Sequence, residues 1–311
     1  MRIASLISSG TELVCELGLE ESLVAVSHEC DYPPSILGRP RVTRSRIASQ
    51  ASSREIDDQV RSLSASGDSL YEIDVEALVA CRPDLIVTQA QCDVCAVRYA
   101  DVLAAVADHP LLAKSNVLAL NPQSLADVAD DLDRLGEATG APVAAERVQA
   151  AWRARLAQVE HALADLAASA RPRVAMIEWL EPLMLSGNWV PEMVGLAGGR
   201  HDLTTPGEHS PYVAWDELLA YDPQAIIVVP CGFDLPRIVS DWKVLTAAPG
   251  WRGLSAVRAG RLFAVDGNAL FNRPGPRLID SVEVLAHLLH PQRVPDPAGQ
   301  RGARLWARLA D

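Results

Sequence analysis

Four cysteines stand directly after apolar segments of the chain: Cys30 after residues 23–28, Cys92 and Cys95 after 84–89, and Cys231 after 225–230. Thiolates are soft ligands, and four of them converging would suit a tetrahedral zinc ion or an iron–sulfur cluster. The Cys92-Asp93-Val94-Cys95 spacing would also serve a redox pair. The alternative is that these are small, apolar-tolerant loop residues that never meet, since cysteine is often buried without any chemical role. Cys15 and Cys81 lie inside helical patterns among apolar neighbours and read as core.

Other polar residues share the same segment ends. His28 and Glu29 flank Cys30, while Glu178 and Trp179 end the segment 173–179. A carboxylate at such a position is excluded from a core unless it is paired. His209 and Ser210 precede an expected helix start at Val213, whose N–H groups could face an anion. Ser8-Ser9-Gly10-Thr11 offers hydroxyls at another helix start, which capping would also explain. The run Arg39, Arg41, Arg44 and Arg46 could grip phosphates or carboxylates, or simply pair with surface acids. Asn268, Phe271 and Arg273-Pro274-Gly275-Pro276-Arg277 form a late loop, in which Phe271 is the aromatic candidate to lie against a planar ligand.

The elements that must position these residues follow from periodicity. Short apolar strands are expected at 2–7, 23–28, 84–89 and 116–120, with amphipathic helices near 11–18, 53–65, 74–81, 96–108 and 124–138. An unbroken helical pattern then runs from Pro142 to Ser169, with Val148, Trp152, Leu156, Val159, Leu163 and Leu166 at helical spacing. Strands resume at 173–179, 225–230 and 261–266, with helices near 191–198, 213–221, 235–246 and 275–289. Alternating strands and helices imply parallel sheets. The expectation is an α/β protein with an N-terminal lobe over 1–141, a bridging helix over 142–170 and a C-terminal lobe over 171–311. An internal echo supports two similar halves: Leu78-Val79-Ala80-Cys81-Arg82-Pro83-Asp84-Leu85-Ile86-Val87 parallels Leu218-Leu219-Ala220-Tyr221-Asp222-Pro223-Gln224-Ala225-Ile226-Ile227.

The bulk properties narrow the function. The 311 residues suit two domains, and 49% of them are hydrophobic. A net charge of −12 argues against nucleic-acid binding through phosphates. Met1-Arg2-Ile3-Ala4-Ser5-Leu6-Ile7 reads as a strand and not as a secretory leader, so a cytoplasmic location is expected, or a periplasmic one if a leader was trimmed. No serine–histidine–acid set, phosphate loop or dinucleotide glycine fingerprint occurs, and the chain is expected to bind rather than catalyse.

Arg2-Ile3-Ala4-Ser5-Leu6, Thr11-Glu12-Leu13, Leu17-Gly18, Leu23-Val24-Ala25-Val26-Ser27 and Cys30-Asp31-Tyr32-Pro33-Pro34 resemble, in order, the first βαβ unit of cobalamin- and iron-complex-binding proteins of ABC importers. Arg82-Pro83-Asp84-Leu85-Ile86-Val87, Gly198-Gly199 and Ala225-Ile226-Ile227-Val228-Val229 resemble later landmarks of the same family. The resemblance implies two Rossmann-like lobes joined by one long helix, with cobalamin, another corrinoid or a related metal complex in the interlobe cleft. Binding at strand C-terminal ends is also what open α/β sheets favour.

The ligand-contacting residues expected from these loops are Ser8, Ser9, Gly10, His28, Glu29, Cys30, Tyr32, Gln89, Glu178, Trp179, His209, Cys231, Gly232, Phe233, Asn268, Phe271 and Arg273. The candidate metal ligands are Cys30, Cys92, Cys95 and Cys231. A cytoplasmic metalloprotein or enzyme using those thiols for zinc or an iron–sulfur cluster is the alternative reading. Two features depart from the family. The second-lobe docking glutamate of the importers is replaced by Asn272, and no glutamate stands between Gln89 and Tyr99. Docking to an ABC permease is therefore doubtful on this reading. Residues Arg39 to Ser69 look inserted relative to compact importers.

Overall fold

A computed structural model describes residues 1–92, 94, 96–297 and 305–310. It divides into two compact units, one of Met1–Ala51, Glu55–Pro122 and Ala126–Ala150, the other of Ser52–Arg54, Gln123–Leu125 and Ala151–Asp311.

The first unit contains β1 (Ile3–Ser5), α1 (Ser8–Glu16), β2 (Leu23–Val26), β3 (Thr43–Ser45), α2 (Ser53–Ser66), β4 (Tyr71–Ile73), α3 (Val75–Cys81), β5 (Leu85–Gln89), α4 (Tyr99–Asp108), β6 (Asn116–Leu120), α5 (Leu125–Thr139) and the start of α6 (Pro142–Ala162). Its main sheet has the order β2-β1-β5-β6 and is parallel throughout. Ala4, Leu6, Ala25, Leu78, Ile86, Val102 and Leu112 fill its core. The segment that looks inserted, Arg39 to Ser69, supplies β3 and α2, and β3 pairs antiparallel with β4 just beyond it.

The second unit contains β7 (Val174–Trp179), β8 (Met184–Leu185), α7 (Val190–Leu196), α8 (Trp215–Tyr221), β9 (Ala225–Val228), α9 (Leu235–Asp241), α10 (Ser255–Arg258), β10 (Leu262–Val265), α11 (Leu278–Leu289) and β11 (Trp306–Arg308). The order is β11-β10-β9-β7-β8. The three inner strands are parallel, as alternation requires, but β8 and β11 run antiparallel at the edges. These two- and three-residue strands carry no periodicity of their own. They exist because β7 and β10 offer open edges to pair with.

The internal echo is a structural repeat and extends beyond the matched residues. α3 and α8 both end on a non-glycine residue in the left-handed region, Arg82 at φ 44° and Asp222 at φ 46°. In each unit an arginine just before the first strand closes that turn. Arg2 Nε and Nη2 donate to the Cys81 carbonyl, and Arg173 Nε donates to the Tyr221 and Asp222 carbonyls. A guanidinium there satisfies the exposed carbonyls of a helix C-terminus and opposes its negative dipole end. The signal was present in the sequence as Arg2-Ile3-Ala4 and Arg173-Val174-Ala175.

The long helix begins at Pro142, as expected, but stops at Ala162 instead of Ser169. The Leu163 N–H is shared between the Val159 and Glu160 carbonyls, Leu163 is buried, and Asp165 forms an ion pair with Arg293. These tertiary contacts override helical propensity. Farther up the helix, Arg155 donates to both Asp280 and Glu283 of α11.

Asp131 of α5 is buried, accepting the Asn121 N–H at 3.1 Å and Arg134 Nη1 at 2.7 Å. Desolvation outweighs both partners and pushes its carboxyl up from 3.8 to about 6. A raised carboxyl pKa means the folded state binds the proton more tightly than the unfolded chain. The penalty is therefore full above about pH 6 and is relieved as pH falls toward the unfolded value. Asp131→Asn, which keeps an acceptor for Asn121, is expected to gain on the order of 2 kcal/mol near neutral pH. The gain should vanish below about pH 4, as read by denaturant unfolding across pH.

Candidate ligand-binding site

In a parallel sheet the polar loops at strand C-terminal ends are the natural binding edge, above all where successive connections leave in opposite directions. In the first unit that point lies between β1 and β5, and in the second between β7 and β9.

At the first point α1 starts at Ser8 without a side-chain cap, which removes the capping explanation for Ser8 and Ser9. Gly10 is required by close packing, since a Cβ there would lie 2.8 Å from Val87 Cγ1 of β5. Ser9 is buried, and its Oγ has no hydrogen-bond partner among the described residues. Gln89, at the end of β5, is also buried. Its amide donates to the Cys92 carbonyl at 2.5 Å and accepts the Cys92 N–H at 2.8 Å, so it shapes the following loop instead of facing outward.

His28 follows β2 and is half-buried. Its backbone N–H donates to Thr43 Oγ1 at 2.9 Å, and Nδ1 lies 2.7 Å from the same oxygen. Its ring lies 5.4 Å from that of Tyr71, and Nε2 is 3.2 Å from the Glu29 carboxylate. Arg41 donates to the Ser27 and His28 carbonyls. Thr43 and Arg41 belong to the inserted segment, and Tyr71 follows it in β4. Arg41 stood in the arginine run but holds backbone carbonyls instead of a ligand or a surface acid, whereas sequence reasoning missed Thr43 and Tyr71. The signal for those two was no more than position in or next to that insertion. Glu29 and Tyr32 are exposed beside His28. The remaining arginines of the run pair with surface acids, Arg39 with Glu21 and both Arg44 and Arg46 with Glu72.

At the second point Ser210 Oγ donates to Glu178 Oε2 at 2.9 Å and accepts the Gly187 N–H at 2.9 Å. This is the partner that Glu178 needs to stand at a strand end. The Trp179 ring meets Phe233 edge-on at 5.3 Å, and Trp179 Nε1 donates to the Ser53 carbonyl. Cys231 and Gly232 are exposed after β9, and the Cys231 N–H donates to the Glu178 carbonyl. Gly267 crosses so close to that turn that a Cβ would lie 2.0 Å from the Pro230 carbonyl oxygen.

Several expectations are corrected. Phe233 is buried, with the Arg237 guanidinium 3.4 Å above its ring, so its face is already covered. Phe271 is fully buried at φ 63°, its N–H donating to Ser281 Oγ and its carbonyl accepting Trp189 Nε1 at 2.6 Å. It is a core residue, not an aromatic face for a ligand. Arg273 is buried too and donates to Asn268 Oδ1 at 2.6 Å. No helix begins at Val213. Its N–H pairs with the Leu183 carbonyl, Met184 bridges to Tyr212, and α8 starts at Trp215, leaving His209 exposed outside any helix or strand.

The thiol set does not assemble among the described residues. Cys30 is buried between two hydroxyls, Thr11 Oγ1 at 3.0 Å and Ser27 Oγ at 3.2 Å, and acts as a packing residue. Cys92 is half-buried in the first unit and Cys231 is exposed in the second. Cys95 lies outside the described residues. No group of three or more His, Cys, Asp or Glu among the described residues could hold a metal ion, so neither a zinc nor an iron–sulfur donor set is seen. Cys15 is held as a neutral thiol, burial and nearby carboxylates pushing it up to about 12. No helix among the described residues is long and apolar enough to cross a membrane.

The Vitamin B12-binding protein of Vibrio cholerae is 26% identical over 293 residues, covering 91% of this chain and 86% of its own. The uncharacterized ABC transporter substrate-binding lipoprotein YvrC of Bacillus subtilis is 23% identical, with coverage of 93% and 80%. Among solved structures, a periplasmic heme-binding protein from Pseudomonas aeruginosa superposes with a TM-score of 0.73 at 22% identity, covering 100% of this chain and 98% of that one. The periplasmic vitamin B12-binding protein of Vibrio cholerae gives 0.66 at 22% identity, with coverage of 93% and 96%. At these identities the solved structures speak to the fold alone, the two-lobed α/β architecture with parallel sheets. The family of periplasmic binding proteins, which are solute-binding proteins and not enzymes, matches residues 3–269, and this chain belongs to it.

Proposed function

We propose that the strand-end loops of the two units bind a corrinoid, with His28, Glu29 and Tyr32 from the first and Glu178, Trp179 and Cys231 from the second as the contacting side chains. The observation that carries this reading is the charge at those loops. Carboxylates stand at both, Glu29 and Glu178, whereas the nearby arginines are already engaged. Arg44 and Arg46 share Glu72, Arg41 holds two carbonyls, and Arg237 covers Phe233 while pairing with Asp241. Such an edge suits a ligand decorated with amides, as a corrinoid is. A porphyrin with two propionates would instead need cations available to pair with them. The Vibrio cholerae relative's name points the same way.

Delivery to an ABC permease, outside the cytoplasmic membrane, accords with the family and replaces the cytoplasmic expectation. Asn272 does not stand in for a lost docking carboxylate in that role. Its amide donates to the Val229 and Gly267 carbonyls at 2.9 and 3.0 Å, closing its own loop. A permease contact would therefore come from other surface residues.

Titration of the purified chain with cyanocobalamin and with hemin tests the ligand. Cobalamin is expected to bind with a change in its visible spectrum and more tightly than hemin, and the reverse order would replace the corrinoid with a porphyrin. Trp179→Ala is expected to weaken cobalamin binding by about tenfold or more, through loss of a large aromatic contact. Asn272→Glu, which sets a carboxylate against two carbonyls, is expected to cost about 2–3 kcal/mol of stability in thermal unfolding. It should create no new permease binding.

A further inference from the structure

His201 is buried with both ring nitrogens facing backbone carbonyls. Nδ1 lies 2.9 Å from Val174 O, at the start of β7, and Nε2 lies 3.1 Å from Ser186 O, just past β8. A carbonyl can only accept, and a neutral imidazole carries one ring proton. A neutral ring therefore satisfies one contact and sets a lone pair against the other oxygen. Only the imidazolium donates to both. The Ser186 carbonyl also accepts Thr204 Oγ1 at 3.0 Å, so it keeps a donor when the ring lets go.

The next residue leads to the candidate site. The Gly187 N–H donates to Ser210 Oγ, and the Ser210 hydroxyl donates to Glu178 Oε2, both at 2.9 Å. The same two segments are tied by the Asn188 N–H to the Glu208 carbonyl and by the Gly207 N–H to the Asn188 carbonyl. Gly187 cannot carry a side chain, because a Cβ would lie 2.4 Å from the Glu208 carbonyl oxygen. The segment is thus packed tightly enough for a displacement at Ser186 to be felt at Ser210.

We propose that His201 is a proton-sensitive positioning residue for Glu178: as an imidazolium it holds the Val174 and Ser186 carbonyls and keeps the Gly187–Ser210–Glu178 chain made, and as a neutral ring it releases the Ser186 end. The effect on affinity rests on Glu178 facing the ligand, as proposed above, whereas the titration and its reach to Gly187 do not. Burial pulls the His201 titration below its ordinary value, while the two carbonyls and the Asp202 carboxylate oppose that pull. The other groups nearby are Arg200, 4.0 Å from Asp202, and Tyr221, whose hydroxyl accepts the Asp202 N–H and donates to the Arg200 carbonyl. Burial raises Tyr221 and keeps it neutral. The proton-bound form therefore belongs to the acid side of the usual histidine range.

The test is nitrogen NMR of the His201 ring in the full chain from about pH 5 to about pH 8, with the Gly187 amide followed in the same samples. Both ring nitrogens are expected to be protonated at the acid end, and Gly187 to gain protection in step. Cobalamin affinity is expected to rise about tenfold as His201 takes up its proton. The rise should disappear in His201→Gln, which does not titrate. It should also disappear in Ser210→Ala, where His201 still titrates but the link to Glu178 is cut. A single neutral tautomer throughout, a Gly187 amide indifferent to the ring, or a pH dependence that survives in Ser210→Ala would overturn the proposal. If cobalamin does not bind at any pH, the corrinoid reading fails, and the ring and Gly187 still decide this one. If His201→Gln does not fold, the wild-type titration and Ser210→Ala carry the result.

Discussion

A parallel sheet cannot be closed by tight turns. Each strand must be followed by an excursion that brings the chain back to the same end, and the backbone polar groups at the far end are left to loops. In both units of this protein the excursions leave in opposite directions beside the first strand, between β1 and β5 and between β7 and β9. There the sheet itself opens a notch lined with strand-end residues. The other site features are ways of holding side chains at that edge: Gln89 clamping the loop after β5, Ser210 holding Glu178, and the Cys231 N–H tied to the Glu178 carbonyl.

The helices are fastened behind that edge by an unusual repetition. Arg2 and Arg173 occupy equivalent places, and each uses its guanidinium to close the carbonyls of the helix that leads into the central strand. Planar, permanently charged and many-donor, arginine suits a task that lysine would do with fewer bonds. That the two halves share the side chain, the left-handed turn and the strand order indicates one architectural unit used twice.

Much of this was legible in the amino-acid sequence, for identifiable reasons. The inner strands are continuous apolar runs flanked by amphipathic helices, and their order follows from that alternation. The echo at 78–87 and 218–227 was legible because both copies keep the same turn and buried strand. The edge strands β8 and β11 and the β3–β4 pair were not, since strands of two or three residues are defined by what they pair with. The site was read less well than the scaffold. Composition placed Phe271 and Arg273 in a polar, proline-rich loop, but the loop folds inward and buries both. The cysteines followed the expected strands, yet position after a strand says nothing about side-chain direction, and Cys30 turned to the hydroxyls of Thr11 and Ser27. The surroundings of His28 were legible only in part. Arg41 stood out in the arginine run, but Thr43 and Tyr71 meet the ring through β3 and β4, whose three residues each are too short to carry a pattern.

The crossing of Gly267 over Pro230 sets a limit on how this protein can be retargeted. Where two backbones meet that closely, position 267 accepts no side chain, and drift toward a new ligand cannot use it. Variation is channelled into the neighbours on either side, Cys231 on one segment and Asn268 on the other, since Gly232 at φ 76° resists a side chain as well. The crossing serves as a fixed frame around which ligand preference can evolve without rebuilding the sheet.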